Sequence, residues 1–152
     1  MGDLPRPTYL VKQLQEALRL RLVGITARFD LTTGQYTALS VLAKYPGMSS
    51  AQLARLTFVS PQAAHEVVAA LERKGLLTRS VDASNRRRLE VKLTRTGRST
   101  LARCDALVDE LETEVFRTVS AGDRDRFHRM LQTCLDAVSA SRRSPSTHRS
   151  AS

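Results

Sequence analysis

Apolar positions fall into a series of helical stripes, interrupted once by two short alternating runs. Val11, Leu14, Leu18, Leu22, Ile25 and Phe29 recur every three or four residues, the period of one helix face. They predict a long first helix from Thr8 to about Phe29. Leu20, Val23 and Ala27 lie towards a second side, so this helix has apolar surface both for its own chain and for another. Thr32 and Gln35 have capping-box spacing, in which each side chain satisfies a free backbone donor of the first turn. They open a second helix running to about Lys44. Ser49 and Gln52 repeat the device ahead of a short third helix with Leu53, Ala54 and Leu56 on its apolar side. Thr57-Phe58-Val59 breaks that pattern, and Ser60-Pro61 begins a fourth helix. Serine is a favoured N-cap, and proline at the first helical position gives up only a donor that has no partner. Ala64, Val67, Val68 and Leu71 form the buried stripe of this helix, and Gly75 is placed to end it in a left-handed conformation.

The period then changes. Leu77 to Val81 and Leu89 to Leu93 each read as a short strand with partial alternation. Asp82, Ser84 and Asn85 between them favour a turn through side-chain to backbone hydrogen bonds, and Arg86, Arg87 and Arg88 crowd its tip. Thr94 opens a fifth helix to about Val119, with Leu101, Cys104, Val108, Leu111 and Val115 on one face. Ser120 caps a last helix whose apolar residues are Phe127, Met130, Leu131, Cys134, Leu135 and Val138. From Ser141 the chain is polar and reads as a disordered basic tail, residues 141–152. The expected fold is mostly α with a small β-wing. A core at 30–98 is flanked by helices at 8–29 and 99–140, all within one domain of residues 1–140.

A short helix, a tight turn, a second helix and a cationic hairpin form a winged helix-turn-helix pattern. Its second helix fits a major groove, and its hairpin can reach phosphate or the minor groove. Ser60, Pro61, Gln62, Ala63, His65 and Glu66 occupy the end expected to meet base edges. Arg87 is the choice for the wing tip in the minor groove, with Arg86 and Arg88 on phosphate. Charge supports this reading through its distribution. The chain carries a formal net charge of +9, and from Arg73 to Arg103 ten basic residues stand against two acids. Asp105, Asp109, Glu110, Glu112 and Glu114 follow. A generic polycation has no need of that separation, whereas a cationic patch beside a reading helix suits double-stranded DNA.

The segment resembles the MarR family of winged-helix transcriptional regulators. The resemblance rests on Leu71-Glu72-Arg73-Lys74-Gly75-Leu76-Leu77-Thr78-Arg79, on Asn85-Arg86-Arg87, and on Val91-Lys92-Leu93-Thr94-Arg95-Thr96-Gly97. Leu31, Thr32 and Gln35 match the usual opening of the family's second helix, and the match spans roughly residues 31–98. The resemblance implies a homodimer in which the first helix and the last two helices, 8–29 and 99–140, interleave between protomers, a repressor bound to a pseudo-palindromic operator, and release by a small aromatic or phenolic ligand. Arg21 and Tyr36 are the candidate polar anchors for that ligand. Two departures stand out. Asn85 replaces the family's usual wing acid. Glu66 stands where a basic residue is common, and could accept from a cytosine amino group.

Other chemistry has less support. His65, His128 and His148 do not cluster, neither cysteine pairs with a histidine at metal spacing, and no glycine-rich phosphate loop is present. The expectation is no enzyme, no metal and no cofactor. Some family members sense peroxide through a cysteine in the first helix, which this chain lacks. Cys104 and Cys134 read as packing residues, which leaves a thiol switch as an alternative function. A winged-helix protein-interaction module with no operator of its own is the other, although it would leave the wing arginines without a purpose. No secretory h-region or membrane span is visible, so the expected compartment is the cytoplasm.

Overall fold

The computed structural model describes residues 5–57, 59–81, 84 and 89–143, with the backbone alone at 89 and 141–143. Its helices are α1 (Pro7–Ala27), α2 (Thr33–Lys44), α3 (Ser50–Thr57), α4 (Pro61–Arg73), α5 (Arg95–Val115) and α6 (Ala121–Arg143). The strands β1 (Leu77–Val81) and β2 (Leu89–Leu93) lie between α4 and α5 and pair antiparallel, with Leu77 opposite Leu93 and Val81 opposite Leu89. The chain divides into two compact units, Met1–Leu111 and Glu112–Ser152, and α5 runs from the first into the second.

The core of the first unit joins every element from α2 to α5. Leu39 and Leu42 of α2, Leu53 of α3, Val68 and Leu71 of α4, Leu77 of β1, Val91 of β2 and Leu101 of α5 are all buried in one cluster. Each such side chain contributes about 1.5–3 kcal/mol relative to leaving it in water. Both expected capping boxes form. The Thr32 hydroxyl accepts from the Gln35 amide, and the Gln35 side chain accepts from the Thr32 amide, each at 3.1 Å. Ser49 and Gln52 make the same reciprocal pair ahead of α3. Gly75 takes φ +70 after α4, as the end of that helix requires.

Helix ends differ from the expectation where turn chemistry wins over periodicity. α1 stops at Ala27 rather than Phe29, because the Leu31 amide bonds back to the Thr26 carbonyl and Asp30 turns the chain at φ +54. Aspartate enters this left-handed region more readily than most side chains. α5 ends at Val115 rather than near Val119. The next residues form a turn in which the Phe116 and Val119 amides bond to Glu112 and Phe116 carbonyls. α6 continues three residues past 140, to Arg143, so the expected tail begins in helix; residues 144–152 lie outside the described residues.

In the second unit the Ser120 hydroxyl accepts from the Asp123 amide at 3.2 Å and donates to its carboxylate at 2.7 Å, capping α6 as expected. Phe116 and Phe127 pack with ring centroids 5.9 Å apart. Phe116, Val119, Phe127 and Met130 line an open recess of about 380 Å³. Much apolar surface stays uncovered in the single chain. Val11, Leu14, Leu20 and Val23 of α1 are exposed, as are Met130, Leu135 and Val138 of α6. Only the C-terminal half of the α1 stripe, at Leu18, Leu22 and Ile25, is partly buried.

Candidate nucleic-acid interface

α4 is two-faced. Ala64, Val68 and Leu71 point into the core, while Ser60, Pro61, Gln62, His65 and Glu66 are exposed. Ala63, expected among the base-facing residues, is turned partway inward. The Ser60 hydroxyl accepts from the Ala63 amide at 3.1 Å, which fixes where the helix starts and so where its polar end is presented. Exposed Gln62 donates from Nε2 to Glu66 Oε1 at 3.2 Å, one turn along the same face. The two side chains expected to meet base edges thus also bond to one another.

The wing is braced against the rest of this unit at its base. The Val91 amide donates to the Met48 carbonyl at 3.1 Å, stitching β2 to the segment before α3. Arg79 Nε of β1 lies 3.1 Å from a Glu72 carboxylate oxygen of α4. Lys92 pairs with Glu90 at 2.8 Å. Thr94 closes the hairpin onto α5: its hydroxyl donates to the Gly75 carbonyl at 2.7 Å and accepts from the Gly97 amide at 2.9 Å. A Cβ on Gly97 would lie 2.1 Å from the Leu76 carbonyl oxygen, so only glycine lets α5 approach the wing this closely. Asn85, Arg86, Arg87 and Arg88 lie outside the described residues.

Lys74, at the end of α4, gathers three acceptors from the α1–α2 corner. Its ammonium donates to the Asp30 carbonyl and to Gln35 Oε1, and pairs with the Asp30 carboxylate at 3.0 Å. The end of α4 is thereby tied to the first two helices.

The two candidate ligand anchors have different settings. Arg21 is exposed on α1. Tyr36 is half-buried, and its hydroxyl donates to the Asp105 carboxylate of α5 at 2.8 Å. Burial, and then the neighbouring Asp105, hold its phenol above the ordinary range. Cys104 is buried, and desolvation followed by the Asp105 charge raises its thiol pKa as well. Cys134, expected to be packed, is exposed, because the α6 face it shares with Met130 and Val138 is uncovered in the single chain. Among the described residues no group of three metal-ligating side chains comes together.

Comparison with known proteins decides the family. The MarR family model matches residues 29–88. The HTH-type transcriptional repressor Rv2887 of Mycobacterium tuberculosis H37Rv is 33% identical over 124 residues, which is 82% of this chain and 89% of the repressor. The chain belongs to the MarR family. It is a winged-helix, DNA-binding transcriptional regulator, and α3, α4 and the β1–β2 wing are its MarR helix-turn-helix and wing. Among solved structures, Rv2887 in complex with salicylic acid has a TM-score of 0.69 at 31% identity, covering 88% of this chain and 99% of that one. The transcriptional repressor CouR bound to a 23-mer DNA duplex has a TM-score of 0.76 at 28% identity, covering 86% and 92%. No helix among the described residues of this MarR protein is long and apolar enough to cross a membrane.

Proposed function

We propose that the chain acts in the cytoplasm as a homodimeric repressor, without catalysis of its own. It binds a pseudo-palindromic operator and leaves it when a small aromatic acid binds. The observation that carries the DNA part is the division of α4. Ala64, Val68 and Leu71 anchor the helix while Gln62, His65 and Glu66 stand free of the core at its N-terminal half. Ser60, Pro61 and Ala63 complete that end, and Arg86, Arg87 and Arg88 supply the wing contacts. Residues 30–98 carry DNA binding, and 8–29 with 99–140 carry dimerisation. The uncovered faces of α1 and α6 support the dimer, since apolar surface of this extent is the kind that a second copy removes from water. A two-fold dimer presents its α4 helices to half-sites about one helical turn apart.

The effector class rests on the likeness to Rv2887, whose structure holds salicylic acid. Arg21 is the anchor for the carboxylate. The donor of Tyr36 is engaged by Asp105, so in this reading Tyr36 contributes its ring. Titrating salicylate into the protein–operator complex tests it. DNA release is expected for the wild type, with release shifted to higher salicylate in Arg21→Ala. Retention of DNA at every soluble salicylate concentration would refute the aromatic-acid reading and leave DNA binding intact.

A further inference from the structure

Glu66 places a carboxylate on the exposed face of a helix that approaches a polyanion. It would repel phosphate, so its presence calls for a local use. Its neighbours three and four positions away on α4 are Ala63, Ala69, Ala70 and Gln62; of these only Gln62 has a side-chain donor. The contact is made, with Gln62 Nε2 lying 3.2 Å from Glu66 Oε1. An ionised carboxylate only accepts hydrogen bonds. The amide of Gln62 must therefore turn its nitrogen, never its oxygen, towards Glu66. Of the two amide orientations related by a half-turn, Glu66 selects one.

We propose that Glu66 is a positioning residue that sets Gln62 to read an adenine in the major groove of each half-site, an inference that rests on the DNA-binding reading above. The amide nitrogen has two hydrogens. The one trans to the carbonyl oxygen serves Glu66. The one cis to it forms, with the oxygen, a donor–acceptor edge. Adenine presents the matching edge, an N7 acceptor beside an N6 amino donor. Guanine presents two acceptors, N7 and O6, so one of them would face the amide oxygen and be repelled. A fixed amide therefore discriminates between the two purines, whereas an amide free to turn would discriminate less.

The test begins with selection of bound duplexes from a random pool by the full chain. Competition titrations then place each of the four bases at the selected position. We expect one adenine per half-site, with the preference reduced about 5- to 150-fold in Gln62→Ala, the range for one bidentate base contact. Glu66→Ala should flatten the same position although Gln62 is intact, and should tighten binding to duplexes that lack the adenine by removing a negative charge. Glu66→Gln can either accept from or donate to Gln62, so it no longer selects one orientation and should leave an adenine preference between those of the wild type and Glu66→Ala. Glu66→Lys, which cannot accept, should lose the preference while binding duplexes that lack the adenine still more tightly. Both native side chains are exposed, and unchanged far-ultraviolet circular dichroism would confirm folding of each variant. Full adenine preference in both Glu66→Ala and Glu66→Lys would overturn the proposal. So would loss of a cytosine preference at a neighbouring position, which would make Glu66 itself the reader. Failure of the wild type to select any motif is a different result, and would overturn the DNA-binding reading itself.

Discussion

Gly97 and Gly24 put the same residue type under opposite constraints. In a helix interior, replacing glycine by alanine gains about 0.8–1 kcal/mol of helix propensity where space is open. A Cβ on Gly24 would meet nothing within 4 Å beyond its own stretch of α1, whereas at Gly97 the Leu76 carbonyl oxygen would be 2.1 Å away. Backbone of the neighbouring hairpin cannot retreat like a flexible side chain. Gly97→Ala is therefore expected to destabilise by about 1–3 kcal/mol, the usual cost of overpacking, while Gly24→Ala stabilises the single chain. Urea denaturation of the two variants checks both signs, and a stabilised Gly97→Ala would contradict the packing described here. Tyr36 and Cys104 make a second prediction at this scale. Both protons are held above their ordinary values of 10.0 and 9.0, chiefly by burial. The folded chain favours the protonated forms, so their contribution is fully present below those values and is lost as pH rises above them. Stability should fall through the alkaline range, starting near the ordinary thiol value. A thiol reagent at neutral pH should reach Cys104 only on unfolding, since burial disfavours the thiolate, and should label Cys134 faster when dilution separates the dimer and uncovers the α6 face. Peroxide should accordingly leave DNA binding intact at Cys104. Rapid labelling of Cys104 in the folded protein would reopen the thiol-switch alternative.

At the scale of elements, what was legible in the sequence was local. The pairs Thr32–Gln35 and Ser49–Gln52, and the dipeptide Ser60-Pro61, mark helix starts because the donors they satisfy lie three residues away. Gly75 marks an end for a similarly local reason. Both strands fall where alternation placed them. The misplaced boundaries, at Ala27, Val115 and Arg143, lie where a turn ends an apolar period or a helix outruns it. The long-range ties gave no sequence signal. Tyr36 reaches Asp105 across 69 positions and Lys74 reaches Asp30 across 44, and no spacing rule covers such distances. The closeness of α5 to the Leu76 carbonyl was equally hidden, although Gly97 was already part of the family pattern. The Gln62–Glu66 pair has the i, i+4 spacing of a helix-face contact, but that spacing alone does not separate a bond between the two side chains from separate contacts to DNA. The α1 helix supplies the prediction that belongs here. Removing residues 1–29 deletes a helix whose outer face is uncovered in one chain, together with its hold on the α2 corner. The expected result is loss of the dimer or aggregation in light scattering. A soluble truncated chain with the native mass ratio would remove α1 from the interface.

For the whole molecule, the charge excess falls along the sequence in and beside the wing segment, and the proposed function gives base reading to the polar face of α4. Electrostatic attraction alone would bind any duplex and weaken uniformly with salt. Base reading adds a preference that survives at a fixed salt concentration. The wing arginines separate the two contributions. Arg86→Ala, if it removes a phosphate contact, should weaken all sequences alike and lower the magnitude of the salt slope by about one unit. Arg87→Ala, if the guanidinium enters a groove, should cost about 1–3 kcal/mol on the operator and shift preference at the outer base pairs.

The most direct measurement is an equilibrium titration of the full chain with its selected operator and with a scrambled duplex of the same composition, repeated at several salt concentrations. The account predicts one dimer per operator, affinity that falls linearly with salt on logarithmic axes, and operator binding at least a thousandfold tighter than scrambled, the lower end for specific regulators. Equal affinity for the two duplexes across the salt series would contradict it, because α4 and the wing would then form a cationic surface that does not read sequence.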